Sequence, residues 1–167
     1  IYGMGLSVEW KGFDFSVLFQ GAGSCDFFVG GWGVYPFQEG EAGNIMKVAS
    51  NPADRWISRE ISGTPDTENP NAIFPRLTYG NSQNNNRAST HWLRNGRYLR
   101  LKNLTIGYTI PKKISRKLLM EGARIYFLGN NLAVWDSFGW WDPELASDNG
   151  ARYPIQKNFT LGLTLNF

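Results

Sequence analysis

The chain has 167 residues and a formal net charge of +3 at pH 7. So mild a charge, without a dense run of lysine and arginine, does not indicate nucleic acid as a partner. No apolar run approaches twenty residues, which excludes a transmembrane helix but not membrane strands, where only every second residue is apolar. With one histidine and one cysteine, the usual His/Cys zinc site and a Cys–His catalytic pair are both impossible, so we expect neither an enzyme nor a cofactor.

The chain opens with a predicted β-hairpin. Apolar side chains share one parity in residues 2–10 and again in residues 13–21, and Lys11-Gly12 forms a tight turn between them. One face of this hairpin is therefore apolar and strongly aromatic. The opposite face carries Glu9, Asp14 and Gln20.

The segment from about 22 to 96 is polar and rich in proline and asparagine, with a short helix expected in residues 41–50. A segment of this length without strands points to a functional loop or lid, although a solvated insertion packed on neighbouring loops stays open. Within it, Trp92 is a candidate for contact with a substrate or partner. His91 is expected to form hydrogen bonds in the loop rather than to act as a catalyst.

Three more strands are predicted, at about 97–110, 123–135 and 157–167. In the first of them the apolar parity slips near Lys102-Asn103, which predicts a β-bulge or a change of environment. Arg100 falls on the polar side of this strand. The last strand alternates from Asn158 to Phe167 with almost no interruption.

The loop at about 136–156 carries the sequence "GWWDPE". Trp140 and Trp141 offer flat apolar faces suited to stacking on sugar rings or to burial against a partner. A nearby acidic group has oxygen ligands that Ca²⁺ could use, but the spacing fits no known calcium loop, so we expect a solvated acidic loop and assign no metal site. The residues of this acidic group are Asp142, Glu144, Asp148 and Asn149.

The connections between the five predicted strands are alternately short and long. An up-and-down meander then has its short turns at one end and its long loops at the other, as in outer-membrane barrels. The apolar faces are aromatic at their ends and have the length of about 9–11 residues that a tilted membrane strand needs. These features favour an all-β membrane barrel, with lumen-facing Glu9, Asp14, Gln20 and Arg100. The alternative is a soluble or surface-attached β-sandwich that binds glycan through its tryptophans.

Three segments strengthen the barrel interpretation: "NGRYLRLKNLTIGYTIPKK", "ARIYFLGNNLAVW" and "YPIQKNFTLGLTLNF". Together with the upstream "KGFDFSVLFQG", "DRW" and "ENPNAIFPRL", and in this order, they resemble the C-terminal end of the SusC/RagA family. Members of that family are TonB-linked outer-membrane transporters of Bacteroidota. The resemblance implies that residues 1–167 form the last five strands of a 22-stranded barrel, with long extracellular loops at about 22–96 and 136–156. The plug and the N-terminal strands are expected outside this chain.

The resemblance also implies function and partners. It implies energised import of oligosaccharides or peptides across the cell outer membrane, with a SusD-like surface lipoprotein as a lid. Contact with the TonB complex is implied through the missing N-terminal part, and outer-membrane lipid surrounds the barrel. The terminal aromatic residue is implied to belong to a signal for the barrel-assembly machinery. The residues of this expected signal are Leu163, Leu165 and Phe167.

Overall fold

Strands dominate the computed structural model, which describes residues 1–38, 43–62 and 68–167. Five long antiparallel strands form one sheet in the spatial order β1-β2-β5-β6-β7, and two short strands, β3 and β4, pair separately. The ends of the long strands differ by at most one residue from those expected. The strands are β1 (Tyr2–Trp10), β2 (Phe13–Ala22), β3 (Asp26–Phe28), β4 (Leu93–Asn95), β5 (Tyr98–Thr109), β6 (Gly122–Asp136) and β7 (Asn158–Asn166).

The described helices are single turns. A short helix was expected in residues 41–50. The structure has α1 at the C-terminal end of this range, and residues 41 and 42 lie outside the described ranges. No described helix is long and apolar enough to span a membrane. The α-helices are α1 (Lys47–Ser50), α2 (Arg59–Ser62) and α3 (Lys112–Ser115), and the 3-10 helices are Pro52–Asp54, Arg116–Leu118 and Pro143–Leu145.

Strand pairing gives the large sheet one apolar and one polar face, because side chains alternate along each strand. The apolar face is open: Met4 on β1 is 68% exposed and Leu161 on β7 is 76% exposed. A sandwich would cover this face with a second sheet, yet the other described sheet has only two strands of three residues each. The described residues therefore do not form the β-sandwich of the alternative interpretation. Pairs on the apolar face include Met4 opposite Phe19, Leu6 opposite Val17, Phe15 opposite Ile106 and Phe127 opposite Leu161.

The antiparallel up-and-down order is confirmed, and the sheet is not closed within this chain. Among the described strands, β1 pairs only with β2, and β7 pairs only with β6. Each outer strand thus presents an unpaired edge. The number of strands in a complete barrel stays a prediction.

The predicted bulge in β5 is confirmed at Lys102. Leu101 and Asn103 lie opposite the consecutive residues Phe19 and Leu18 of β2, so Lys102 is the extra residue. On the other side of β5 the pairing skips two residues of β6, between Asn130 and Ala133. The change of apolar parity in β5 therefore coincides with irregular pairing among β2, β5 and β6.

The chain divides into two compact units. One consists of residues 1–26, 95–146 and 152–167 and contains the large sheet. The other, here called the loop unit, consists of residues 27–94 and 147–151. The loop unit has its own apolar core, so most of the long polar segment is folded around buried side chains. Its buried apolar residues are Val29, Val34, Ala49, Phe74 and Trp92.

Candidate functional site

The polar face of the sheet gathers the four residues that were expected to face a lumen. Glu9 lies opposite Asp14 across β1 and β2, and Gln20 lies opposite Arg100 across β2 and β5. Asp14 and Gln20 share one parity of β2, so all four residues belong to one face. The structure brings them to the same surface, and the lumen itself stays a prediction.

An ion pair crosses this face between strands that are not neighbours. Arg124 on β6 donates to both carboxylate oxygens of Asp14 on β2, over 2.6 and 3.2 Å. β5 lies between them, with Gly107 opposite Asp14 in β2 and opposite Tyr126 in β6. A side chain at Gly107 would collide with both charged groups, so the glycine is what allows them to meet.

A second charged cluster fixes the loop that follows β6. Arg100 is 2% exposed and forms ion pairs with Asp142 and, over 2.7 Å from its Nε, with Glu144. The other oxygen of Glu144 lies 2.9 Å from Lys102 Nζ. Two cations and two carboxylates are therefore paired around a buried guanidinium, which would be costly to leave without a partner.

Local structure explains why the carboxylates reach Arg100. Asp142 caps the 3-10 helix Pro143–Leu145 by accepting from the backbone N–H of Glu144 over 3.0 Å. Asp142 caps the short helix and Glu144 lies within it, and both side chains reach Arg100. Residues 142–145 therefore lie against the polar face at Arg100.

This geometry corrects the expectation of a solvated acidic loop. Asp142 and Glu144 are engaged by cations, and Asn149 accepts from Ser147 Oγ over 3.2 Å within the loop unit. Asp148 lies near the Tyr35 phenol, whose pKa is raised by burial first and by this carboxylate second. Within the described ranges no three acidic, His or Cys side chains are arranged to hold a metal ion.

Trp140 and Trp141 form an aromatic cluster with Phe138 just before the acidic residues. Phe138 is buried, and its ring centroid lies 5.6 Å from that of Trp140 and 4.9 Å from that of Trp141. Both indoles are half-buried. Such a cluster is anchored on one side and leaves part of its apolar surface for a ligand or partner.

Trp92 packs differently from the contact residue that we expected. It is 1% exposed, its Nε1 donates to the Asn85 carbonyl over 2.7 Å, and its ring lies 4.9 Å from that of Tyr35. A fully buried indole presents no face to a ligand. In the loop unit Trp92 therefore acts as core.

His91 also departs from expectation. Its Nε2 is buried without a hydrogen-bond partner among the described residues, and its ring stacks edge-on against Trp92 and Phe74. Burial, followed by the charge of Arg94, lowers the pKa of His91 below 6.5. The expected hydrogen-bonding role is wrong for the side chain, which packs as a neutral aromatic ring.

The residues of the expected assembly signal lie at the open edge of the sheet. Leu163 and Leu165 are on the apolar face, opposite Ile125 and Ala123 of β6, and Phe167 follows the end of β7. All three are exposed.

No family model matches the chain. TonB-dependent receptor P26 of Formosa agariphila is 29% identical over 182 aligned residues, which cover 100% of this chain. TonB-dependent receptor P3 of the same organism is 25% identical over 178 residues, covering 99%. This chain spans only 17% and 16% of the lengths of these two relatives.

Solved structures give the same match. The RagAB peptide importer in its "open-open" state aligns with a TM-score of 0.70 and 25% identity, and in its "closed-closed" state with 0.62 and 26%. Each alignment covers 99% of this chain and 17% of the solved chain. The chain resembles the barrel portion of a TonB-dependent receptor. The resemblance that the sequence motifs indicate is thus confirmed.

Two residues of this receptor-like sheet were missed by sequence reasoning. Arg124 falls on the polar parity of its strand, so the alternation that identified Arg100 would also have found it. Lys102 occupies the bulge, where parity is undefined, and its partner Glu144 is 42 residues away. No local sequence signal could have paired them.

Proposed function

We propose that this chain belongs to a TonB-dependent importer of the cell outer membrane, which takes up nutrients together with a SusD-like surface lipoprotein. The observation that carries the proposal is the match over 99–100% of the chain to TonB-dependent receptors and to the RagAB peptide importer. Contact with TonB belongs to the remainder of the polypeptide. Leu163, Leu165 and Phe167 are the residues that we propose for recognition by the barrel-assembly machinery.

In this proposal the five-stranded sheet is part of the barrel wall. Its exposed apolar face contacts lipid, and its polar face, with the Asp14–Arg124 ion pair, lines the lumen. Large aromatic side chains near the strand ends support this orientation, since they favour the two membrane–water interfaces. They are Tyr2, Trp10, Phe13, Trp135 and Phe159, all exposed.

The loop after β6 would then narrow the lumen. Arg100 and Lys102 hold residues 142–145 against the polar face, so the adjoining Trp140 and Trp141 are positioned by a fixed support. Apolar side-chain faces on such a support suit contact with cargo or with the lipoprotein.

Peptides are the cargo class that we favour, with oligosaccharides as the second candidate. The solved structures that resemble this chain are those of the RagAB peptide importer. The half-buried tryptophans are compatible with either class, because indoles pack against both apolar peptide side chains and sugar rings.

Uptake by cells tests the proposal. A strain that lacks the full-length protein should lose uptake of labelled oligopeptides, and a protonophore should abolish uptake in the parent strain. Uptake that survives the protonophore would indicate a passive porin, and recovery of the protein only in the soluble fraction would refute the importer.

A variant pair addresses the tryptophans. We expect Trp140→Ala/Trp141→Ala to raise the KM of uptake by about 10-fold, in line with the loss of about 1–2 kcal/mol of aromatic contact. Tyr153→Ala, at an exposed aromatic residue of the same loop, is the control and should leave KM unchanged. An equal effect of the two changes would count against a contact role for the tryptophans.

A further inference from the structure

The turn between β5 and β6 is strongly basic. Four cationic side chains and a single acidic one, Glu121, lie between Pro111 and Gly122. All four cations are exposed, and none of them takes part in a salt bridge within the described residues. The four are Lys112, Lys113, Arg116 and Lys117.

Two aliphatic side chains of the same turn are exposed among those that the structure describes. Ile114 is 52% exposed and Leu119 is 89% exposed. Leu119 has a φ of 60°, in the left-handed region that residues with a Cβ atom disfavour. The turn therefore keeps a leucine outward at a conformational cost, and an apolar surface outside this chain would compensate for that cost.

Aromatic residues surround the turn at this end of the sheet. The backbone N–H of Thr109, at the end of β5, donates to the carbonyl of Gly12 in the β1–β2 turn, so the two turns are neighbours. Phe13 and Tyr108 stack with centroids 4.4 Å apart, and Lys11 Nζ lies 4.8 Å from the Trp10 ring centroid. Aromatic rings beside basic side chains are typical of the headgroup level of a membrane.

We propose that residues 112–119, here called the basic turn, bind anionic phospholipid in the leaflet at the short-turn end of the barrel. The ammonium and guanidinium groups would hold the headgroup phosphate, while Ile114 and Leu119 would contact acyl chains. Charge complementarity favours an anionic lipid over a zwitterionic one. This inference rests on the proposed outer-membrane barrel.

Lipid titration of the full-length receptor in detergent tests the inference. Phosphatidylglycerol and phosphatidylcholine with the same acyl chains are added in parallel, and bound lipid is counted by native mass spectrometry. We expect a preference for phosphatidylglycerol that falls about 10²-fold in Lys112→Gln/Lys113→Gln/Arg116→Gln, because each cation near an anionic surface changes the affinity about fivefold. The matched control Arg97→Gln/Arg152→Gln/Lys157→Gln removes three exposed charges elsewhere in the sheet unit and should keep the preference.

A salt titration and a competition with inorganic phosphate distinguish the possible results. The preference of the unmodified receptor should weaken between 50 mM and 500 mM salt, a readout that needs no variant. Equal binding of both lipids, or an unchanged preference in the basic-turn variant, would overturn the inference. So would complete competition by inorganic phosphate, which would indicate a site for a free anion. Heat-modifiable migration of each protein reports barrel formation separately, so the inference can fail while the proposed function stands.

Discussion

His91 gives the loop unit a pH dependence. The imidazole is held between Phe74 and Trp92, with centroids 5.8 and 4.4 Å away, and burial is the main reason that its pKa is lowered from 6.5. The unfolded chain therefore takes up this proton at a higher pH than the folded chain. The stabilising contribution of neutral His91 is complete above pH 6.5 and is lost as pH falls through the lowered value.

We accordingly expect proteolysis of residues 68–94 in the folded full-length protein to accelerate as the pH drops below 6.5. His91→Phe keeps an aromatic ring in the same place but cannot be protonated, so it should remove this acid sensitivity. The measurement is the rate of cleavage at pH 7.5 and 5.5 by a protease active at both. The same acid response in His91→Phe would show that another group is responsible.

Arg100 is the residue on which the loop after β6 depends. Its replacement by methionine leaves Glu144 with Lys102 and leaves Asp142 without a paired cation among the described residues. Loss of one member of a buried ion pair typically costs about 3–5 kcal/mol. We expect Arg100→Met to release residues 137–146 and to raise their hydrogen exchange, measured on the full-length protein in detergent micelles.

A triple variant that removes the charges of Arg100, Asp142 and Glu144 together provides the control for Arg100→Met. In Arg100→Met/Asp142→Asn/Glu144→Gln no carboxylate is left unpaired, so loop protection should partly return. Arg97→Met, at an exposed position just before the same strand, should have no effect. Equal exchange in all three variants would mean that the ion pairs do not hold the loop.

At the scale of the strands, Gly162 allows close packing between β6 and β7. It lies opposite Tyr126, whose ring occupies the space that a side chain at Gly162 would need. Gly162→Ala should therefore strain this strand pair by about 1–3 kcal/mol and lower the fraction of heat-modifiable barrel. Gly5→Ala on β1, where the added carbon has only ordinary contacts of 3.6 Å, should leave that fraction unchanged.

Removing the Tyr126 ring in the Gly162→Ala background tests whether this ring causes the strain. Tyr126→Ala/Gly162→Ala should recover barrel formation relative to Gly162→Ala alone, because the ring no longer competes with the added methyl group. A double variant as poor as the single one would point to backbone conformation rather than to the ring.

The long strands could be predicted from sequence to within one residue, because alternation with a period of two is set locally by the backbone. The bulge at Lys102 was predictable for the same reason, since it interrupts that period. The matching irregularity in β6 was not, because it skips two residues, Asn131 and Leu132, and so leaves the parity of the strand unchanged. Arg100 pairs with Asp142, 42 residues away in the sequence, and the burial of Trp92 depends on the folding of the whole loop unit.

At the scale of the whole molecule, the sheet depends on surroundings that this chain does not provide. Both outer strands have a free edge, and the apolar face is exposed along its length. We expect residues 1–167 expressed alone to aggregate in buffer and to require detergent for dispersion. Analytical ultracentrifugation checks this, and a detergent-free monomer would be incompatible with a membrane-facing sheet.

The Asp14–Arg124 ion pair has a consequence for how the wall is assembled. It joins β2 and β6 across β5, and the two charged groups occupy the space that a side chain at Gly107 would need. If β5 slipped by two residues, its apolar face would still be correct, but Thr105 or Thr109 would stand between the two charges in place of Gly107. Hydrophobic burial cannot distinguish such a slip from the native pairing, whereas the ion pair can. Gly107, Asp14 and Arg124 together thus favour the native register of β2, β5 and β6.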